Sequence, residues 1–329
     1  MRVFITGEKG FIGTNLIARA ENFSNIEIVR GYFNSPGMFV TKKGEPCVHR
    51  NDIKSWENFF LANKIDVVIH NAAIVGTDVC ALNAQESTLS NVQGTYNICR
   101  AAKKLGIPVC YMGTTVIYDT PSYQNIPITE TSNLRPTTLY GIQKLASEQI
   151  VKTQTDKWMI IRPLFAYGGE GDMNSLIAKT IYAALNGHKQ IDMFLNPGKI
   201  KDYMHVNDYC DAVLTGISTE KCWNDDFNVS VENPYNTQQI VEFIEVTMER
   251  SLSNVIKWHP ETDYLGNHRL SSLKFRNKTG WKPKIDLITG IKMSYKSIKN
   301  SKDYDPLIYL NEAKEKNIDL TEFFEKQEI

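Results

Sequence analysis

The 329-residue chain carries 37 basic and 37 acidic side chains, so its formal net charge at pH 7 is zero. That balance gives no electrostatic case for nucleic-acid or membrane binding, and no apolar run approaches the roughly 18 residues that a transmembrane helix needs. A hydrophobic content of 42% and a charged content of 22% are typical of a soluble globular protein.

The six cysteines are scattered without C-x-x-C spacing, and the six histidines do not cluster. These patterns predict reduced thiols and no metal site. The first apolar strand begins at Arg2, so we expect no signal peptide and a cytoplasmic location.

The first predicted elements are a strand, a glycine-rich turn and a helix. The strand is the apolar run at residues 2–5, and three glycines come after it at three-residue spacing, Gly7, Gly10 and Gly13. In such a turn the first glycine permits a tight bend, the second lets a pyrophosphate approach the backbone, and the third packs helix against strand. The N–H groups and dipole of the adjoining helix favour phosphate. The segment therefore predicts a dinucleotide site.

Short apolar strands alternate with helical stretches through about residue 166. Strands are predicted near Val3, Ile28, Val48, Val68 and Val109 and at 159–161, and helices at 10–20, 53–61, 85–104 and 140–152. Continuous apolar strands of this kind are typical of parallel strands covered on both faces. The alternation predicts an α/β fold with a doubly wound parallel sheet and the cofactor at the carboxyl ends of its strands.

A second motif, Tyr-Gly-Ile-Gln-Lys, occupies residues 140–144. A Tyr and a Lys four residues apart share one helix face. Because a nearby ammonium favours phenolate, the spacing predicts a pKa of Tyr140 below its usual value of about 10. Thr114 comes after the strand predicted around Val109, where its hydroxyl could hydrogen-bond the same substrate oxygen. Tyr140, Lys144 and Thr114 together predict proton transfer at a sugar or alcohol hydroxyl.

Taken together, these residues resemble the extended short-chain dehydrogenases/reductases, specifically the nucleotide-sugar epimerase/dehydratase/reductase group. The resemblance covers roughly residues 1–291. The motifs that carry it lie at 6–13, 51–53, 66–73, 91–95, 113–118, 135–144, 162–168, 201–208 and 280–283.

The resemblance implies a Rossmann-type NAD(P)-binding domain at 1–166, to which the chain returns at about 201–231. It also implies a smaller C-terminal substrate lobe from 167–200 and 232–329, and a homodimer formed by the helices predicted at 85–104 and 140–152. The charged segment after Ser301 lies outside the resemblance, and we expect solvated helix there at 311–316 and 321–326.

The resemblance also implies the roles of individual residues. Tyr140 would move the proton of a sugar hydroxyl while hydride moves to or from the nicotinamide, Lys144 would hold the ribose, and Thr114 would orient the reacting oxygen. Asn91 would either support the structure near Lys144 or cap a helix. The implied cofactor-binding residues are Gly7, Lys9, Gly10, Phe11, Ile12, Gly13, Arg30, Asp52, Ile53, Ala72, Ala73, Asn91, Tyr140, Lys144 and Pro163.

Cofactor choice depends on the end of the second strand. NAD-binding members usually carry an acid there, whereas this chain has Arg30, which suits the 2′-phosphate of NADP. Lys9 lies where NADP-preferring relatives often place a second cation. The sequence therefore favours NADP, with NAD as the alternative if Glu27 or Glu8 holds the ribose.

The two residues after Thr114 narrow the choice of reaction. The 4,6-dehydratases of the group place Asp-Glu directly after the catalytic Thr, where this chain has Thr115 and Val116. The absence of this Asp-Glu pair argues against a dehydratase and favours a 4-keto-sugar reductase that uses NADPH. A 4-epimerase with retained cofactor remains an alternative. Phe165 replaces the usual phosphate-binding Asn, which favours a shifted binding mode or a non-nucleotide carbonyl substrate. A cofactor-binding regulator would tend to lose Tyr140 or Lys144, and both are present.

Overall fold

The computed structural model describes residues 1–34, 38–41, 46–49, 51–119, 126–172, 174–260 and 267–300, with the backbone alone for the strands within 31–49. The helices expected at 311–316 and 321–326 lie outside these residues.

The strands, in chain order, are β1 Arg2–Thr6, β2 Glu27–Val29, β3 Gly31–Asn34, β4 Met38–Thr41, β5 Pro46–His49, β6 Val67–His70, β7 Val109–Met112, β8 Trp158–Pro163, β9 Phe165–Tyr167, β10 Ile191–Met193, β11 Ile200–Lys201, β12 Tyr203–His205, β13 Asp225–Val229, β14 Tyr235–Asn236 and β15 Ile256–Trp258. The helices are α1 Phe11–Ala20, α2 Ile53–Ala62, α3 Thr77–Leu82, α4 Ala84–Thr88, α5 Gly94–Lys104, α6 Leu139–Gln154, α7 Leu176–Leu185, α8 Val206–Ile217, α9 Thr237–Met248, α10 Leu273–Thr279 and α11 Leu287–Asn300.

A six-stranded parallel sheet forms the centre of the fold, in the order β13-β8-β7-β6-β1-β2. The predicted α/β class and Rossmann-type sheet are confirmed. The chain runs from β1 to β2 on one side and later to β6 on the other, so the strand order reverses beside β1. In open parallel sheets such a reversal leaves a crevice at the carboxyl ends of the strands, where ligands bind.

The strand predicted near Val48 is present, but its expected place among the parallel strands is wrong. β5 pairs antiparallel with β4, and β4 pairs antiparallel with β3, in a separate three-stranded sheet. The connections at 35–37 and 42–45 are only a few residues long. A connection this short suits an antiparallel pair, because a parallel crossover needs a dozen or more residues.

Alternate residues of the central strands bury opposite faces of the sheet. Val3 and Ile5 pack in one cluster with α1 and α8, whereas Phe4 packs on the other face against Trp56 and Phe60 of α2. This period of two explains why the strand sequences are apolar throughout.

A third cluster, formed by α7, α9, α11 and the short strands near them, packs beyond the carboxyl ends of the sheet strands. None of the helices in the described part of the chain is long and apolar enough to span a bilayer.

Candidate active site

The glycine turn forms a cradle between β1 and α1. Gly7 has φ +73°, in the left-handed region, and a Cβ on Gly13 would lie 2.1 Å from the Gly7 carbonyl oxygen. A Cβ on Gly10 would meet only that oxygen, at 3.4 Å, so the space above Gly10 is open. The turn therefore fits a ligand that approaches the backbone closely, as a pyrophosphate does. Phe11 and Ile12 begin α1, with Gly10 as its N-cap.

Arg30 and Glu27 lie at opposite ends of β2. Arg30 directly follows the carboxyl end of the strand, beside the cradle, and is exposed. Glu27 begins the strand at the far edge, where its carboxylate lies 3.2 Å from the guanidinium of Arg2. Glu27 therefore lies at the end of β2 that is farther from the glycine turn. Lys9 is exposed within the glycine turn.

Asp52 and Ile53 begin α2. The Asp52 carboxylate accepts the backbone N–H of Lys54 at 2.9 Å and so caps the helix. Because α2 leads back to the amino end of β6, its own N-terminus faces the carboxyl edge of the sheet, where the cradle lies.

Ala72 and Ala73 come after β6 at the same edge. The Ala72 N–H donates to Thr6 Oγ1 at 2.9 Å, which ties this loop to the end of β1. Thr6 also bonds to Nδ1 of His70, and burial lowers the pKa of His70 to about 3, so this imidazole is neutral. The loop backbone is thereby held against the glycine turn.

Thr114 and Tyr140 lie near each other, and the Thr114 hydroxyl acts to lower the pKa of the Tyr140 hydroxyl. Thr114 lies beyond the end of β7, and Tyr140 lies in the first turn of α6, whose N-cap Thr138 accepts the Gly141 N–H at 3.1 Å. Sequence spacing thus correctly predicts that these two side chains come together.

The predicted decrease in the pKa of Tyr140 is wrong. Burial raises the pKa of its hydroxyl well above the usual value, and the Thr114 hydroxyl only partly opposes this. Desolvation depends on residues distant in the chain, so the Tyr-x-x-x-Lys spacing could not reveal it.

Lys144 is buried, and its ammonium donates to the Met112 carbonyl at 2.6 Å. It lies 4.2 Å from the centroid of the Tyr111 ring. Burial lowers the pKa of Lys144 to about 8, and the carboxylate of Glu148 partly opposes the shift. A lysine that titrates this close to neutrality is characteristic of functional sites.

Asn91 lies in a π-helical segment, Leu89–Gln93, so it is not a helix cap. Its amide accepts the Ile74 N–H at 2.8 Å and donates to the Ile74 carbonyl at 2.9 Å and to Gln143 at 2.9 Å. Its own backbone carbonyl accepts the Ser147 hydroxyl at 2.8 Å. Asn91 therefore joins the loop after Ala73 to α6 beside Lys144. This agrees with the expectation that Asn91 supports the structure near Lys144.

Pro163 ends β8, and two residues later Phe165 forms part of the wall of a cleft of about 390 Å³. The ring of Phe165 packs on Tyr203, with centroids 5.4 Å apart, and the ammonium of buried Lys201 lies 5.7 Å from its centroid. Of the predicted site residues, Phe11 lines this cleft, so the cleft adjoins the glycine turn. Thr114, Tyr140 and Lys144 are not among the residues that line the cleft.

Sequence reasoning missed part of this wall, including Leu195 and Ser175. Ser175 caps α7, and the carboxylate of Asp172 accepts its hydroxyl at 2.6 Å and the Gly168 N–H at 2.6 Å. The spacing Asp-x-x-Ser before an apolar helix signals this cap. Leu195 has no comparable local signal.

The three glycines at 168–172 predict a mobile loop over the cleft. In the structure the Asn15 side chain bonds this loop to α1, donating to the Glu170 carbonyl at 2.8 Å and accepting the Glu170 N–H at 3.3 Å. The glycines allow the backbone to bend, and the hydrogen bonds of the Asn15 amide hold the bend against α1.

Comparison with known proteins identifies relatives along most of the chain. Curated relatives include dTDP-D-glucose 4,6-dehydratase of Mus musculus, 25% identical over 88% of this chain and 86% of that protein. A putative UDP-glucose 4-epimerase of Methanocaldococcus jannaschii is 24% identical over 91% and 99%. GDP-6-deoxy-D-talose 4-dehydrogenase of Aggregatibacter actinomycetemcomitans is 28% identical over 76% and 81%.

Solved structures show the same fold at lower identity. The dTDP-glucose 4,6-dehydratase of Bacillus anthracis, in complex with NAD, has a TM-score of 0.79 at 19% identity and covers 93% of this chain and 99% of that one. RMD from Pseudomonas aeruginosa, complexed with NADPH, has a TM-score of 0.76 at 20% identity over 91% and 98%.

The sequence model of the NAD dependent epimerase/dehydratase family matches residues 3–230, which include the glycine turn, Thr114, Tyr140, Lys144 and the last strand of the central sheet. The chain therefore belongs to the NAD dependent epimerase/dehydratase family and is an enzyme of the extended short-chain dehydrogenase/reductase type.

Proposed function

We propose that this enzyme reduces the 4-keto group of a nucleotide-linked sugar with NADPH. The observation that carries the proposal is the placing of Thr114 near Tyr140 beside buried Lys144, together with Thr115 and Val116 next to Thr114. This arrangement supplies a proton donor and an oxygen-binding hydroxyl, while Thr115 and Val116 offer no acid or base for eliminating water. The 28% identity with a GDP-6-deoxy-sugar 4-dehydrogenase supports the same reaction class.

In this proposal Tyr140 donates the proton to the substrate oxygen. Its hydroxyl is protonated at neutral pH and burial raises its pKa further, which suits a group that gives a proton to a carbonyl being reduced. Thr114 hydrogen-bonds the same oxygen, and Lys144 holds the ribose and supports the Tyr140 hydroxyl. A nicotinamide cofactor supplies the hydride when bound.

The cradle of Gly7, Gly10 and Gly13 fits the pyrophosphate of that cofactor. Arg30, at the carboxyl end of β2, would pair with a 2′-phosphate, with Lys9 as a second cation. The ion pair of Glu27 with Arg2 at the opposite edge supports NADP over NAD. The remaining proposed contacts come from Phe11, Ile12, Asp52, Ile53, Ala72, Ala73, Asn91 and Pro163.

Substrate would enter from the cleft beside Phe165. We propose that residues 1–166 and 201–231 hold the cofactor and that 167–200 and 232–329 hold the substrate. The parallel pairing of β13 with β8 supports the return of the chain to the first part. Buried Lys201 offers a positive charge for an anionic substrate, whereas the Phe165 ring cannot donate the hydrogen bond that an Asn amide provides.

A 4-epimerase that retains its cofactor is the second candidate. The proton-transfer residues would serve it equally, and the relative of Methanocaldococcus jannaschii is named as a putative UDP-glucose 4-epimerase. A short-chain reductase of a non-nucleotide carbonyl compound is the third, and Phe165 favours it.

We also propose a cytoplasmic homodimer. The helices α5 and α6 pack together, and Leu89 and Ile142 near them are 37% and 52% exposed. Apolar side chains left exposed at neighbouring helices favour a two-fold interface, the commonest closed assembly.

The function is tested by offering dTDP-, GDP-, CDP- and UDP-linked 4-keto-6-deoxy sugars with NADPH, and the matching hexoses in parallel. We expect loss of NADPH absorbance with a 4-keto sugar. Turnover of the hexoses alone, with no net absorbance change, would identify an epimerase. If no nucleotide sugar binds or reacts, the nucleotide-sugar substrate is wrong.

A further inference from the structure

A buried ion pair lies directly behind the proton-transfer residues. Glu148, on α6 one turn after Lys144, accepts from Arg162 Nε at 3.0 Å and from Arg162 Nη2 at 2.7 Å. The two side chains are 0% and 1% exposed. A bidentate pair this deeply buried is costly to desolvate and is weak evidence for stability alone, so a further role for its charge is worth testing.

The pair contacts the strand end that carries the site. A Cβ on Gly113 would lie 2.7 Å from Glu148 Oε1 and 2.9 Å from Arg162 Cγ. Gly113 stands between Met112, whose carbonyl accepts from Lys144, and Thr114, which lies near Tyr140. The ion pair therefore packs against the backbone that holds both partners of the proposed proton-transfer residues.

The other titratable groups around Lys144 are neutral. His70 from β6 has a pKa lowered to about 3, and burial raises the pKa of Cys80 from α3 and of Tyr111 from β7. Burial also raises the pKa of Tyr140, on the same helix. Of the groups that raise the pKa of Lys144, Glu148 contributes most and Cys80 less.

Arg162 holds Glu148 in place through further partners. It donates to the Tyr118 hydroxyl at 2.7 Å and to Asp226 at 2.7 Å. Asp226 is also bonded to Lys152 at 2.9 Å, which is two helical turns beyond Lys144. These partners hold the Arg162 side chain from two sides. If the Glu148 carboxylate moved away from Arg162, the buried Glu148 would be left without its ion-pair partner.

We propose that Glu148, held by Arg162, is a positioning residue that keeps Lys144 charged and in place for catalysis. The inference rests on the proposed function for the role of Lys144 in turnover, but the charge effect itself can be measured without substrate. Removing the carboxylate takes away the largest contribution that opposes the desolvation of the Lys144 ammonium.

The test uses the full chain with Glu148→Gln, which keeps the shape of the side chain. Asp226→Asn is the matched control, because it removes the other carboxylate bound to Arg162, which comes from β13 and bonds to α6 at Lys152, two turns beyond Lys144. Lysine labelled with ¹³C at the ε-carbon, assigned with Lys144→Met, reports the titration of Lys144 by NMR. We expect its midpoint to fall by about one pH unit in Glu148→Gln and to stay unchanged in Asp226→Asn.

In turnover, Glu148→Gln should move the alkaline limb of kcat/KM to lower pH. At pH values above the limb, activity would be roughly tenfold lower, because a one-unit shift there changes the charged fraction of Lys144 about tenfold. At about pH 6.5 activity would be nearly normal, because Lys144 is still mostly charged. A purely structural role would lower activity by the same factor at every pH.

An unshifted Lys144 midpoint in folded Glu148→Gln would overturn the proposal. If that variant does not fold, Glu148→Asp keeps the negative charge one turn after Lys144, so the Lys144 midpoint should fall by much less than one pH unit; a fall of a full unit with the charge still in place would overturn the proposal. Absence of any nucleotide-sugar turnover would contradict the proposed function and leave the NMR result intact.

Discussion

Two alanine substitutions in the glycine turn should separate folding from cofactor binding. A Cβ on Gly13 would lie 2.1 Å from the Gly7 oxygen and 2.8 Å from Glu8 Cα, and both are backbone atoms that cannot rotate away. To reach the ordinary contact distance of 3.4 Å, α1 must move from the turn by more than 1 Å. Gly13→Ala should therefore lower the free energy of unfolding by about 3 kcal/mol, the upper end of the cost of overpacking.

Gly10→Ala is the matched control for stability. Its Cβ would meet only the Gly7 oxygen, at 3.4 Å, and its φ of −79° suits alanine. The loss of a favourable N-cap residue and the lower entropy of the unfolded chain roughly offset each other. Its free energy of unfolding should stay within about 0.5 kcal/mol of wild type.

For cofactor binding the two variants should behave alike. The new methyl group of Gly10→Ala would occupy the space that a pyrophosphate uses, so NADPH should bind roughly tenfold more weakly or worse. Gly13→Ala should weaken binding because it displaces the helix N-terminus. Urea denaturation without cofactor and fluorescence titration with NADPH measure the two effects. Normal NADPH affinity in Gly10→Ala would show that the pyrophosphate lies elsewhere, and normal stability in Gly13→Ala would refute the packing argument.

Three further predictions concern chemistry, cofactor choice and assembly. Tyr140→Phe should lower turnover roughly 100-fold or more and leave cofactor affinity nearly unchanged, since it removes only the proton donor; near-normal rates would reject that role. Arg30→Asp should weaken NADPH binding by about 1–3 kcal/mol and spare NADH, whereas Glu27→Gln should change neither; a wild type that prefers NADH would contradict the role of Arg30. Light scattering at micromolar concentration should give a dimer, and Ile142→Glu a monomer of normal fold; a monomeric wild type would exclude the interface at α5 and α6.

The sequence by itself determined the elements whose signals are local. The strand, glycine turn and helix at residues 2–20 result from an apolar run and three glycines. Asp52 caps α2 and so lies directly before its first residue. The spacing of Tyr140 and Lys144 fixes a shared helix face, because four residues make about one turn. Each of these depends on residues close together in the chain.

The tertiary structure decided which groups those elements meet. It set β5 in an antiparallel sheet, raised the pKa of Tyr140 by burial, and directed Lys144 to the Met112 carbonyl. It also brought Glu148 to Arg162 across 14 positions of sequence and across two elements. Strand pairing, desolvation and buried charge pairs depend on residues that only folding brings together, so spacing along the chain carries no direct signal of them.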